Sequence, residues 1–230
     1  MIAERLPWTL LLACTALGLA TATGLAAGVY AGWRRGRGID TALLSLFLGI
    51  RTLPAFFLGS LAVFVFAVQL HWLPLGGAET PFSQAEPLGH TWDVVRHLIL
   101  PAAVMAAQFA GGQFLVMRAG MVSELGADYL LLGRVMGLPE RRLERHHAAR
   151  NALLPVVTVA ALELGFAVTG SIFVETVFAY PGIGRLLFDA VAYRDYPTIQ
   201  GCFLLLTISV VTINLLADLL YGRLDPRVRQ

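Results

Sequence analysis

Apolar residues run almost unbroken, without alternation, through five stretches of this chain: 7–33, 41–70, 98–120, 153–178 and 198–221. Each is long enough for a helix to cross a hydrocarbon core, which takes about 20 residues at a rise of about 1.5 Å per residue. The period-two alternation of a barrel strand is missing, so helices are the way to satisfy the backbone in lipid. The pattern therefore predicts an all-α fold, a polytopic transmembrane bundle of five spans within a single domain, 1–230.

Breaks in the pattern add detail. The second stretch is too long for one straight helix and holds Arg51 and Pro54, so a kink is expected near Leu53-Pro54, where proline removes a hydrogen bond and clashes with the preceding turn. Pro101 and Pro155 stand at the start of their apolar stretches, where a first-turn proline costs little. The link 71–97, with Pro74, Gly76, Gly77, Pro81 and Pro87, reads as irregular. Between Pro181 and Pro197 the positions Leu186, Leu187, Ala190, Val191 and Tyr193 keep helical spacing and predict a short amphipathic helix lying at the external surface or dipping into it. Gly24 and Gly28 carry the small-residue spacing of a packing face.

Arginine sets the orientation. The link after the first stretch holds Arg34, Arg35 and Arg37; the segment 124–155 holds Arg134, Arg141, Arg142, Arg145 and Arg150; the tail holds Arg223, Arg227 and Arg229. The alternate links, 71–97 and 179–197, are poorer in arginine. The positive-inside rule puts the first group in the cytoplasm and the second outside. Five spans then place the N-terminus outside and the C-terminus inside. The first stretch is longer than a signal-peptide core and is followed by arginines, so it reads as a retained span.

The segment 124–155 is the one long polar insertion. It predicts two short helices about a Gly137-Leu138-Pro139 turn, with an apolar knob at Tyr129–Leu132, a bare side at Gly133 and Gly137, and basic edges. Such an element suits a groove on another protein; a solvated basic loop is the alternative that spacing leaves open.

Composition bounds the chemistry. Apolar residues make up 57% and charged ones 14%, with a mean hydropathy of +0.70, which excludes a soluble enzyme of ordinary make-up. Cys14 and Cys202 lie in apolar stretches, away from metal spacing, and read as buried and inert. No phosphate-binding loop or metalloprotease motif occurs. His146 and His147 are adjacent, point to different helix faces and do not make a ligand pair. Neither metal nor cofactor is expected on this chain, and no nucleic acid. Four ionisable residues are read as interrupting the spans: Arg51, Glu163, Glu175 and Asp218. Charges at depth face a bundle interior or an aqueous path. Glu163 reads either as lining a translocation route or as a neutral helix contact. Glu175 and Asp218, nearer span ends, read as capping, snorkelling or structurally paired acids, with Asn214 one turn before Asp218 as a polar neighbour.

At segment 124–155 the chain resembles the membrane permease subunits of ABC importers for dipeptides, oligopeptides and nickel. The resemblance extends over essentially the whole chain, through RLPWTLLL (5–12), DYLLLGRVMGLPERR (128–142), RNALLPVVTV (150–159), VETVFAYPGIGRLLFDAVAYRDYP (174–197) and NLLADLLYGRLDPRVR (214–229). It implies a type I importer fold in a bacterial inner membrane. It further implies that residues 121–155 form a coupling loop that docks on a cytoplasmic ATPase subunit through Asp128, Tyr129, Gly133, Gly137, Leu138, Arg141 and Arg142. Gly137 stands at the family's nearly fixed glycine, and Gly133 where alanine is usual. ATP and Mg would be bound by the ATPase partners. A second permease would complete the pore, lined in part by Glu163, Glu175, Asn214 or Asp218. A periplasmic or lipid-anchored solute-binding protein would dock outside, near Pro181, Gly182, Arg185 and Tyr196. The family carries a further span and an external segment ahead of RLPWTLLL, the stretch at which this sequence begins. A non-transporting scaffold or uncoupled fragment is the rival reading; a secondary transporter using Glu163 as a proton site is a third.

Overall fold

The computed structural model describes residues 2–81 and 87–224, with the side chains of all of these except Pro87, Ala217, Asp218 and residues 220–224. The described residues are helical wherever they are regular. In chain order the helices are α1 Ile2–Trp33, α2 Gly38–Thr52, α3 Ala55–Ala62, α4 Pro87–Glu124, α5 Asp128–Val135, α6 Glu140–Arg142, α7 Ala149–Val177, α8 Ile183–Ala192 and α9 Tyr196–Leu224. Two wider, π-helical turns extend them: Val63–Gln69 after α3, and Leu143–Ala148, which joins α6 to α7 without a break.

Among the described residues, four helical stretches are long and apolar enough to cross a membrane, and α2 with α3 makes a fifth span if the broken pair is taken as one. The break falls where the sequence predicts it. Pro54 is extended (φ −60°, ψ 139°), its amide cannot continue α2, and its carbonyl accepts the Leu58 amide to start α3.

Elsewhere the helices outrun the apolar stretches. Pro7, Pro101 and Pro155 all lie inside helices, so the first-turn reading of Pro101 and Pro155 is corrected. Polar residues ahead of each proline extend the helix beyond the lipid-compatible stretch. The same extension makes the last part of link 71–97 helical, because α4 already begins at Pro87. Cys202 is buried, but Cys14 is exposed, which corrects the expectation that both are enclosed.

The chain forms two compact units. One comprises Met1–Leu17, Leu53–Ala106 and Leu162–Gln230; the other comprises Gly18–Thr52 and Ala107–Ala161. In the second unit, glycine governs how α1 meets α4. A Cβ on Gly24 would lie 2.9 Å from the Ala110 carbonyl oxygen, one on Gly28 would lie 2.7 Å from Met117 Cβ, and one on Gly32 would lie 2.5 Å from Met121 Cβ. The small-residue stripe therefore runs one turn beyond the Gly24–Gly28 pair and lets two backbones approach closely. On the neighbouring face of α4, Phe114 stacks on Phe47 of α2 with ring centroids 4.5 Å apart.

Candidate functional site

The second unit ends in a platform that carries α5. Its core is Met117, Met121, Leu130, Leu143, Ala148, Ala152 and Val156, with Trp33, Tyr129 and Leu138 packed against it. Leu130 is fully enclosed, so one residue of the predicted apolar knob faces inward as an anchor. Gly133 is buried too. A Cβ there would sit 2.6 Å from Leu143 Cδ2, so its bareness serves α5's own seat on the π-helical turn. That corrects the bare outward side for Gly133. Gly137 remains open, with free space where a Cβ would stand and φ at +78°. A left-handed residue at this point ends α5 and reverses the chain, a conformation that glycine adopts without cost.

Polar groups lock the platform. The Tyr129 hydroxyl donates to Glu124 at the end of α4, and Asn151 of α7 donates to the Tyr129 oxygen at 3.1 Å. Burial, then the Glu124 carboxylate, push the Tyr129 phenol above its usual range, with Asn151 pulling the other way, so it acts as a protonated donor. Arg134 Nε donates to Glu140 at 2.9 Å across the Gly137 turn, which raises the arginine's affinity for its proton further. Asp128, in the first turn of α5, places a carboxylate at the positive end of that helix.

Two ion pairs tie the link after α1 into the same body. Asp40, nearly fully buried, accepts a bidentate pair from Arg118 at 2.6 and 2.7 Å, and also the Gly36 amide at 3.0 Å. Arg34 reaches Glu144 on the π-helical turn at 3.2 Å. Sequence reasoning singles out none of these four as a site residue. Arg118 is itself an ionisable interruption of the stretch 98–120, and a charge that close to the end of an apolar run was the available signal.

Apart from Asp128 and Arg134, what α5 leaves outside is apolar. Leu131, Leu132, Val135 and Met136 are 59–78% exposed, and their spacing of one, four and five residues gathers them on one side of the helix. Arg141 and Arg142 are exposed beside the turn.

The first unit holds a second constellation. Glu175 is fully buried at the end of α7. Its Oε1 accepts from Thr9 of α1 at 2.8 Å and from Ser171 at 2.7 Å, and its Oε2 accepts the Arg185 amide at 3.1 Å. Thr9 in turn accepts the Ile183 amide at 2.9 Å. Gly182, the N-cap of α8, has no side chain to cap with; Glu175 and Thr9 supply the acceptors from other helices, and a Cβ at Gly182 would collide with the Glu175 carboxyl. Glu175 thus acts as a capping group, one of the readings that its place near the end of a span left open. The buried Tyr180 has its phenol pushed above the usual range by desolvation, then by Glu175. Arg185 also caps the Ala179 carbonyl.

The amphipathic α8 is present, but it buries Ile183, Gly184, Leu187 and Ala190 and leaves Val191 and Tyr193 exposed. Pro181 is half-buried at its entrance, and Tyr196, 67% exposed, opens α9. Glu163 is half-buried on α7. Asn214 of α9 lies over Gly165 of α7, its Oδ1 2.7 Å from where a Cβ would stand. The Asp218 side chain lies outside the described residues.

The family model for the inner membrane component of binding-protein-dependent transport systems matches residues 24–230. A protein of Brucella suis biovar 1 named as a peptide permease is 40% identical over 230 residues, all of this chain and 70% of that protein. The glutathione transport system permease GsiC of Escherichia coli K12 is 39% identical over 228 residues, 99% of this chain and 70% of its own. Among solved structures, an inward-facing form of the MetNI methionine ABC transporter superposes with a TM-score of 0.72 at 18% identity, over 98% of this chain and 96% of that one. The chain belongs to the family of binding-protein-dependent transport inner membrane components, and is a permease subunit of an ABC importer seated in the inner membrane.

Proposed function

We propose that this permease passes peptides or related small solutes, and that separate ATPase subunits drive it through α5. The observation that carries the reading is the exposed apolar face of Leu131, Leu132, Val135 and Met136 on a helix whose other side is anchored by Leu130, Gly133 and Tyr129. An apolar helix face of this kind suits a groove on a partner, and the locked platform behind it lets a push on α5 reach α4 and α7 as rigid elements. Gly137 fixes the turn, Asp128, Arg141 and Arg142 supply charged edges, and Leu138 closes the core beneath. ATP with Mg is bound and hydrolysed on the partners; this chain performs no catalysis.

A second permease completes the pore, with Glu163 and Asn214 on its polar side. A solute-binding protein delivers cargo at the face bearing Pro181, Gly182, Arg185 and Tyr196, which the Glu175 node holds rigid. The substrate class is supported by the names of the two relatives, one a peptide permease and the other serving glutathione. Alternating access then follows from rocking of the two permeases as the ATPases close and reopen.

The test is uptake of labelled dipeptide and labelled glutathione into proteoliposomes holding the assembled complex. Accumulation that requires ATP inside the ATPase compartment and survives a protonophore is expected. Uptake that persists without ATP and collapses with the proton gradient, or after Glu163→Gln alone, would put the secondary-transporter reading in its place.

A further inference from the structure

The second unit contains a cavity of 340 Å³ lined by Trp33, Arg34, Arg37, Leu125, Arg134 and Glu140. It is built from the end of α1 and the link that follows it, the end of α4, α5 and the start of α6. Three arginines line it against one glutamate. Arg134 is engaged by Glu140 at 2.9 Å, and Arg34 by Glu144 at 3.2 Å. Both are thereby held in place as donors, since a guanidinium presents five N–H groups and one carboxylate leaves several unused. Arg37 is exposed and has no ion pair among the described residues. Counting Glu140 and Glu144 against Arg34, Arg37 and Arg134, the cluster keeps a net positive charge.

The cavity also has an apolar wall. Trp33 closes the span α1 and lies 5.8 Å beneath the Arg134 guanidinium, and Leu125 follows the end of α4. An indole at the last residue of a span sits where hydrocarbon gives way to headgroups. An anion at that depth with an apolar tail attached meets both walls at once; a free anion meets only one.

We propose that this cavity is a binding site for the phosphate of an anionic phospholipid, its phosphodiester held by Arg37 with Arg34 and Arg134 and its glycerol end against Trp33 and Leu125. Basic pockets at the ends of membrane helices take headgroups in this way. The site lies on the body that carries α5, so a bound lipid braces the α1 end of the platform against α5. The assignment is independent of the substrate and of ATPase docking.

The test uses the complete chain in nanodiscs, where both faces meet lipid and orientation does not enter. Discs of phosphatidylcholine are compared with discs in which part is replaced by phosphatidylglycerol, and retained lipid is counted by native mass spectrometry after release into detergent. Wild type is expected to retain phosphatidylglycerol selectively, Arg37→Gln to retain about fivefold less, and Arg37→Lys to recover part of the loss. Arg35→Gln removes the same charge from an exposed neighbour that does not line the cavity, and is expected to retain lipid as wild type does. Equal losses in Arg35→Gln and Arg37→Gln would overturn the site in favour of general surface attraction. Displacement of the lipid by millimolar inorganic phosphate would reassign the cavity to a soluble phosphate and overturn the lipid. Unchanged retention in a folded Arg37→Gln chain would remove it altogether.

Discussion

Asp40 and Arg118 make a demanding contact in the second unit, because the Asp40 carboxylate leaves water to meet a guanidinium that stays partly exposed. The pair holds only while each has the other. Asp40→Asn keeps the shape but removes the charge, leaving the Arg118 guanidinium half-matched, and is expected to cost about 2 kcal/mol of stability. Denaturant unfolding in detergent, followed by helicity, measures it; Arg118→Gln alone should cost a similar amount, and the double variant less than the sum of the two. This contact is not legible in the sequence. Neither residue is marked there, and nothing in their spacing joins residues 78 positions apart. Glu175 is readable as a capping group by its place near the end of a span. Its partners Thr9 and Ser171 are not, since small hydroxyl residues in apolar stretches carry no distinguishing pattern.

Helices are more legible than contacts, because lipid forces long apolar runs and the runs are visible. Their ends are less so, since a helix continues into water wherever no proline or glycine stops it, as α4 does back to Pro87 and α7 back through Leu143–Ala148. The small-residue stripe shows both sides: Gly24 and Gly28 stand out by spacing, while Gly32, beside the polar link, is hidden by its position. Where a helix end does have a side-chain signal, it titrates. Asp195 caps α9, accepting the Thr198 hydroxyl at 2.6 Å and its amide at 3.2 Å, and these bonds hold its carboxyl below the usual range. A depressed value means the cap's contribution is complete above the ordinary aspartate range, about pH 4, and is lost as pH falls through the lowered value. Amide exchange over Tyr196–Gln200, normalised to intrinsic rates, is expected to accelerate on that acidification. In Asp195→Asn, whose amide also caps a helix, the normalised rates should stay level; an equal acid response in both would show that the cap is not what titrates.

At the scale of the whole molecule, the described residues are a set of membrane helices with a locked platform, and in the proposed function that platform presents α5. Leu130, Gly133 and Tyr129 are used inward, and Leu131, Leu132, Val135 and Met136 face out. The sequence marks the segment as one structured polar insertion but assigns inward residues to the partner, because at a short helix the two faces differ by a single position and only packing tells them apart. That division yields the most direct test. The chain is extracted from membranes together with its ATPase subunit and compared with Val135→Asp, which puts a charge on the exposed face at a residue 78% exposed. The wild type should retain the ATPase, and a correctly inserted Val135→Asp should lose most of it. Full retention by Val135→Asp, or failure of the wild type to hold any ATPase, would contradict the docking role of α5.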